Sequence, residues 1–202
     1  MDEIKDRVAA VVVTYNRAEM LRQCLMSLQK QTMPCDILVV DNASTDDTKA
    51  LVQRAAQHDA SIFYRNTGEN LGGAGGFNFG MRWAVEAGYA FVWVMDDDCF
   101  PEPVALEKLL DADRLLQGEY GWLSSVALWT DGRECRMNRP KIKKNFYDRI
   151  ELLRDGILLA EQATFVSLFL KAETIRAVGL PVKEFFIWGD DIEYTRRITI
   201  RE

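Results

Sequence analysis

The stretch Phe91-Val92-Trp93-Val94-Met95-Asp96-Asp97-Asp98-Cys99-Phe100 decides how this chain reads. Phe91–Met95 is apolar and rich in β-formers, the composition of a strand buried on both faces. It runs straight into three carboxylates. Adjacent negative charges at the end of a buried strand repel one another and lose hydration. A hard divalent cation offsets that cost, because Mg2+ or Mn2+ takes oxygen ligands, commonly one or two carboxylates with substrate phosphates. The competing reading is an acidic turn capping the next helix, with Pro101 near its first position.

Outward from that segment, Val8–Thr14, Asp36–Val40, Ala60–Asn66 and Tyr89–Met95 read as strands. Between and after them come helical patterns. Arg17–Gln31 carries Met20, Leu21, Cys24, Leu25 and Leu28 on one face. A second helix, capped by Ser44 or Thr45, runs to about Gln57. A third follows the glycine-rich loop Thr67–Gly76 and ends near Ala87, and a fourth covers Glu102–Leu116. This alternation predicts an α/β domain with a mostly parallel central sheet and helices on both faces. Ligands bind such sheets at the carboxyl ends of the strands. Here those ends carry Thr14-Tyr15-Asn16-Arg17, Asp41-Asn42 and Asp96-Asp97-Asp98.

The later part is less regular. Gly121–Trp129 and Ala163–Leu170 look strand-like, Asp131-Gly132 signals a hairpin, and Arg136–Arg149 is basic. We therefore divide the chain into 1–117, a regular α/β half, and 118–202, a less regular half of the same domain. No glycine or proline ends the last helix before Glu202, which reads as a cut from a longer chain.

Bulk properties exclude several classes. A 202-residue chain that is 48% apolar can build a full core. Its net charge of −6 argues against a general nucleic-acid binder. Cys24, Cys35, Cys99 and Cys135 form no C-x-x-C pair and His58 is the single histidine, so a Cys/His zinc site is not expected. Scattered thiols fit a reducing cytoplasm. Met1–Arg7 is charged and predicts no secretion signal, and no apolar run approaches membrane-spanning length.

Five constellations carry candidate chemistry. Thr14, Tyr15 and Arg17 would surround a nucleotide; Asn16 could instead only cap the next helix. Asp41 can accept from a ribose or a uracil N–H, or serve an Asx turn. Asp46 and Asp47 read as helix-dipole partners. Asn66–Gly76 is glycine-rich, as where backbone approaches a ligand. It is no Walker loop, since Ala74 stands where lysine belongs, and no dinucleotide fingerprint, since Asn78 fills the third glycine position. Strand alternation puts Asp96 and Asp98 on one side, as metal ligands, with Asp97 turned away toward a structural or ribose role. Gly189-Asp190-Asp191 places two acids at a helix start, where one could act as general base, beside Phe185, Phe186 and Trp188 for sugar stacking.

Together these segments resemble glycosyltransferase family 2. The matching runs are V-V-V-T-Y-N-R (11–17), L-V-V-D-N-A-S-T-D-D (38–47), N-L-G-G-A-G-G-F (70–77), M-D-D-D (95–98) and W-G-D-D-I-E-Y (188–194). Their wording is similar to the galactofuranosyltransferase branch, with rhamnosyltransferase-like members near. The resemblance implies a GT-A, Rossmann-like fold with a smaller mixed acceptor-side region. It implies inverting transfer of galactofuranose or rhamnose from a UDP or dTDP donor to a cell-envelope glycan or polyprenyl-linked acceptor. By the same resemblance, Thr14, Tyr15, Arg17 and Asp41 contact the nucleotide, and Asn70 and Gly72 line the sugar-diphosphate pocket. Asp96 and Asp98 hold Mg2+ or Mn2+, and Asp191 is the acceptor base beside Asp190. Such relatives carry a further metal-ligand histidine beyond the W-x-D-D segment, and this sequence has none there. The basic stretch 136–149 would face anionic membrane at its inner surface, or stay a solvated loop. Two other readings remain: a sugar nucleotidyltransferase, disfavoured because 14–17 lacks glycine, and a nucleotide-sugar-binding module without catalysis.

Overall fold

The structure, a computed structural model, describes residues 7–201. The charged lead 1–6 lies outside the described residues. Six strands form the central sheet in the order β3-β2-β1-β4-β8-β5. They are β1 (Val8–Thr14), β2 (Asp36–Asp41), β3 (Ile62–Asn66), β4 (Phe91–Asp96), β5 (Leu123–Ser124) and β8 (Leu168–Lys171). The first four pair in parallel, and β8 and β5 join antiparallel. A separate two-stranded ribbon pairs β6 (Lys141–Ile142) with β7 (Ala160–Gln162).

Each face of the sheet has its own core. Alternation sends Ala10, Val12, Ile37, Val39, Trp93 and Met95 to one face, covered by α1 (Ala18–Leu28), α2 (Thr48–His58) and α4 (Ala105–Leu115). Val11, Val13, Leu38, Val40, Val92 and Val94 face α3 (Gly72–Glu86), α5 (Ala172–Val178) and α6 (Asp190–Arg201). All seven residues of β1 are buried, as a central strand covered on both faces requires.

Several sequence expectations change. The glycine run is not a loop: α3 begins at Gly72 and takes in Gly73, Gly75 and Gly76. Two of its glycines serve packing. A Cβ at Gly76 would stand 2.5 Å from Val13 Cγ1, and one at Gly80 would overlap a Val11 methyl. Without side chains there, the helix lies close on the sheet. Neither Ser44 nor Thr45 caps α2; Asp46 Oδ1 accepts from Thr48 N at 3.0 Å. Helix α4 starts at Ala105, four residues beyond Pro101, so Pro101 is not its first position. The expected strand 121–129 shrinks to β5 plus a bridge between Leu128 and Glu134 that closes the predicted turn. The expected strand 163–170 shifts to Leu168–Lys171.

Candidate active site

The carboxyl ends of β1, β2 and β4 meet at one rim because parallel register aligns them: Thr14 opposes Asp41, and Val13 opposes Asp96. Thr14 Oγ1 donates to Asp97 Oδ2 at 2.6 Å, and the Tyr15 backbone N–H also reaches Asp97. Arg17 then forks across the acids, with Nη1 3.2 Å from Asp97 Oδ1 and Nη2 2.9 Å from Asp98 Oδ2. The expected alternation fails past Asp96, where β4 ends. Asp97 and Asp98 lie in a turn, so Asp97 is not turned away from Asp98: Arg17 holds both. Burial opposes the Arg17 charge, but the hydrogen bond to Asp98 and the charges of Asp97, Asp98 and Asp96 outweigh it and raise its pKa.

Asp96, within reach of the same charges, also lines a cleft of about 190 Å3 that it shares with Asp190, Asp191, Phe77, Phe165 and Ile187. Burial, then the charges of Asp98, Asp97 and Asp190, lift the Asp96 carboxyl to about 7. Burial and Asp191 lift Asp190 to about 6. Burial raises Asp191 too, while the backbone N–H groups of Ile192 and Phe165 favour its charged form. Helix α6 thus brings its acids, 94 residues along the chain in the case of Asp190, against the acid that ends β4.

A divalent cation fits this donor set. Asp96 is an acid raised by burial and like charge, opposed by Arg17, and a cation relieves both. No group of three or more His, Cys, Asp or Glu among the described residues is arranged to hold an ion alone. Phosphate oxygens would have to complete the shell, as is usual for Mg2+.

Asp41 serves the turn after β2 rather than standing open to a ligand. It is 0% exposed. Its Oδ1 accepts from Ser44 N at 2.8 Å, and its Oδ2 accepts from Tyr64 Oη at 2.6 Å and Asn66 Nδ2 at 3.1 Å. As placed, Asp41 organises the rim between β2 and β3, and a nucleotide reaches it only where Tyr64 and Asn66 yield. Asn16 does not cap α1. With φ at 53°, its Oδ1 accepts from Thr45 N at 2.7 Å and ties the β1 loop to the β2 loop. Asp46 is more than a dipole partner, since Oδ2 accepts from Ala18 N at 3.0 Å and so caps α1 as well as α2. Asn70 is exposed, with Oδ1 accepting from Gly72 N at 2.9 Å. Gly72 is buried and faces protein: the place of its missing Cβ is filled by the Phe186 carbonyl.

Sequence reasoning missed Tyr64, Asn138 and Phe165, and the contacts that Asn66 and Phe186 make. Tyr64 and Asn66 were readable as the alternate residues of β3 that point with Asp41; the others sit in irregular segments with no local signal.

An open sheet edge with acids at the switch between parallel strands is the GT-A glycosyltransferase architecture. The solved mannosyltransferase PcManGT from Pyrobaculum calidifontis, in complex with GDP-Man and Mn2+, superposes with a TM-score of 0.65 over 96% of this chain and 51% of its own, at 24% identity. The chain belongs to glycosyl transferase family 2, whose model matches residues 9–116. It is 32% identical over 201 residues to galactofuranosyltransferase GlfT1 of Mycolicibacterium smegmatis, covering 95% of this chain and spanning 65% of that protein. It is 31% identical to the undecaprenyl-phosphate mannosyltransferase of Micrococcus luteus, covering 95% of this chain and 77% of the relative.

Proposed function

We propose that this chain is the core of an inverting, metal-dependent glycosyltransferase. It would move galactofuranose or rhamnose from a UDP or dTDP donor to a cell-envelope glycan or polyprenyl-linked acceptor. The observation that carries this reading is the shared cleft: the acid ending β4 and the acid pair opening α6 face one space of about 190 Å3. The relatives' names, a galactofuranosyltransferase and an undecaprenyl-phosphate mannosyltransferase, support sugar transfer and a polyprenyl-phosphate acceptor. PcManGT, solved with Mn2+ and GDP-Man, supports the use of a cation.

Bound between Asp96, Asp98 and the donor diphosphate, Mg2+ or Mn2+ would neutralise charge on the leaving group. Arg17 orients Asp97 and Asp98, and the Thr14 hydroxyl and Tyr15 backbone N–H anchor Asp97. Asp191, more open than buried Asp190, takes the proton from the acceptor hydroxyl. The acceptor oxygen then bonds to the anomeric carbon as the bond to the diphosphate breaks, so configuration inverts. Burial keeps Asp191 more basic than a free carboxylate. Trp188, 77% exposed one residue before Gly189, offers a face to the acceptor sugar.

Membrane contact belongs to the same reading. No described helix is long and apolar enough to cross a membrane. Arg136, Lys143 and Lys144 make no ion pair among the described residues, and exposed Tyr147, Ile150 and Leu153 follow them. Basic and apolar groups together suit an anionic bilayer surface. The test of function is release of nucleoside diphosphate from UDP-galactofuranose and dTDP-rhamnose, with a polyprenyl-linked acceptor and Mn2+. Acceptor-dependent release from either supports the reading; none from either, with intact donor binding, leaves only a binding module.

A further inference from the structure

The backbone around Phe186 is strained where nothing in its own segment requires it. Phe186 has φ 63° and ψ −62°, and Ile187 N donates to Phe185 O at 2.7 Å across it. These are the angles and hydrogen bond of the rare, strained form of γ-turn, which a phenylalanine adopts only when its surroundings impose it. The Phe186 carbonyl accepts from Ala74 N at 3.0 Å, an otherwise free amide in the first turn of α3. That approach is possible only because position 72 is glycine. A Cβ there would fall inside the Phe186 carbonyl and 2.8 Å from its ring. Gly72 itself has φ 70°, and its carbonyl accepts from buried Asn42 Nδ2 at 2.9 Å.

These contacts form one continuous path. Asp97 accepts from Thr14, whose carbonyl accepts from Asn42 N at 2.9 Å; Asn42 holds Gly72, and the first turn of α3 holds Phe186. Four and five residues on, after the positive-φ hinge Gly189, come Asp190 and Asp191. We infer that Gly72 and Phe186 are positioning residues: their backbone latch sets where the acid pair of α6 stands relative to the acid ending β4. The strain at Phe186 is held by that latch. The inference rests on the transferase reading for its effect on rate, but the latch itself is a statement about structure.

The test compares Gly72→Ala, Phe186→Pro and Phe186→Gly with the unsubstituted protein by amide hydrogen exchange, melting temperature and transfer kinetics. Proline cannot adopt φ 63°, whereas glycine adopts it freely and keeps the carbonyl. Exchange at the Ala74 amide and across residues 183–189 is expected to rise at least about tenfold in Gly72→Ala and Phe186→Pro and to stay within about twofold in Phe186→Gly. In the two released variants kcat should fall about tenfold or more, while the donor Kd moves less than about threefold. Unchanged Ala74 exchange in both released variants overturns the latch. Faster exchange with unchanged kcat overturns the positioning role. Should the unsubstituted protein transfer no sugar, the functional reading falls and the role in rate with it, while the exchange comparison still decides the latch. If Gly72→Ala does not fold, Phe186→Pro carries the same comparison from the other side of the contact.

Discussion

Between Arg7 and Gln117 the chain spends its apolar residues on strands covered from both sides; between Gly118 and Gly189 it leaves many of them in water. In the first region β1 is wholly buried and five of six β2 residues are buried. In the second, β5 and β6 have two residues each, and Val126, Trp129, Met137, Tyr147 and Trp188 are more than half exposed. The first region is a platform whose geometry follows from packing, and the acids at its rim inherit that rigidity. The second is tied to the platform by β8 beside β4, by α5 on one sheet face and by Phe186 on α3. On the proposed reading, the first region would hold one donor geometry and the second would admit a larger, softer acceptor.

The largest expected effect crosses between them. Asp191→Asn should lower kcat by about 10²–10⁴-fold, the range for a lost general base, with UDP affinity changed less than about twofold. Equal loss of donor binding would mean that Asp191 belongs to the platform's chemistry instead.

Stability should separate the regions next. Gly80→Ala drives a methyl into Val11 and Val40 and should cost about 1–3 kcal/mol in chemical denaturation. Gly132→Ala, at φ 80° with nothing within 4 Å, should cost about 1 kcal/mol from backbone strain alone. Equal costs would erase the contrast in packing.

A smaller effect concerns pH. Asp96 holds its proton up to about 7 when folded and to 3.8 when unfolded. The folded state therefore binds more protons between those values, and the metal-free protein loses stability as pH rises through that window. Asp96→Asn should flatten the dependence and raise the melting temperature at pH 7.5 by about 2–4 °C. A lower melting temperature would show that the ionised acid is already compensated.

The platform was largely legible because buried parallel strands announce themselves as unbroken apolar runs, and Val8–Thr14 matched its strand end to end. The later region was not, since strands of two to four residues are defined by partners distant in sequence: Leu123 and Ser124 pair with β8. Glycine misled in a particular way. A run of it suggests a ligand loop, but Gly76 and Gly80 serve helix-on-sheet contact and Gly72 admits a carbonyl from residue 186. Asp41 was identified as a polar strand end, while its saturation by Tyr64 and Asn66 depends on cross-strand neighbours. The smallest expected effect lies at the periphery: Lys143→Glu with Lys144→Glu should weaken binding to vesicles containing anionic lipid by about 2 kcal/mol and leave the melting temperature unchanged. Undiminished binding would remove the membrane from the acceptor-side description.

The most direct measurement is calorimetric titration of UDP into the protein at pH 7.5, with Mn2+ and with chelator, repeated for Asp96→Asn and Asp98→Asn. If the acids closing β4 hold a cation against a diphosphate, Mn2+ should tighten UDP at least about tenfold, and either substitution should abolish the gain. UDP binding of equal strength with and without Mn2+ would contradict the account.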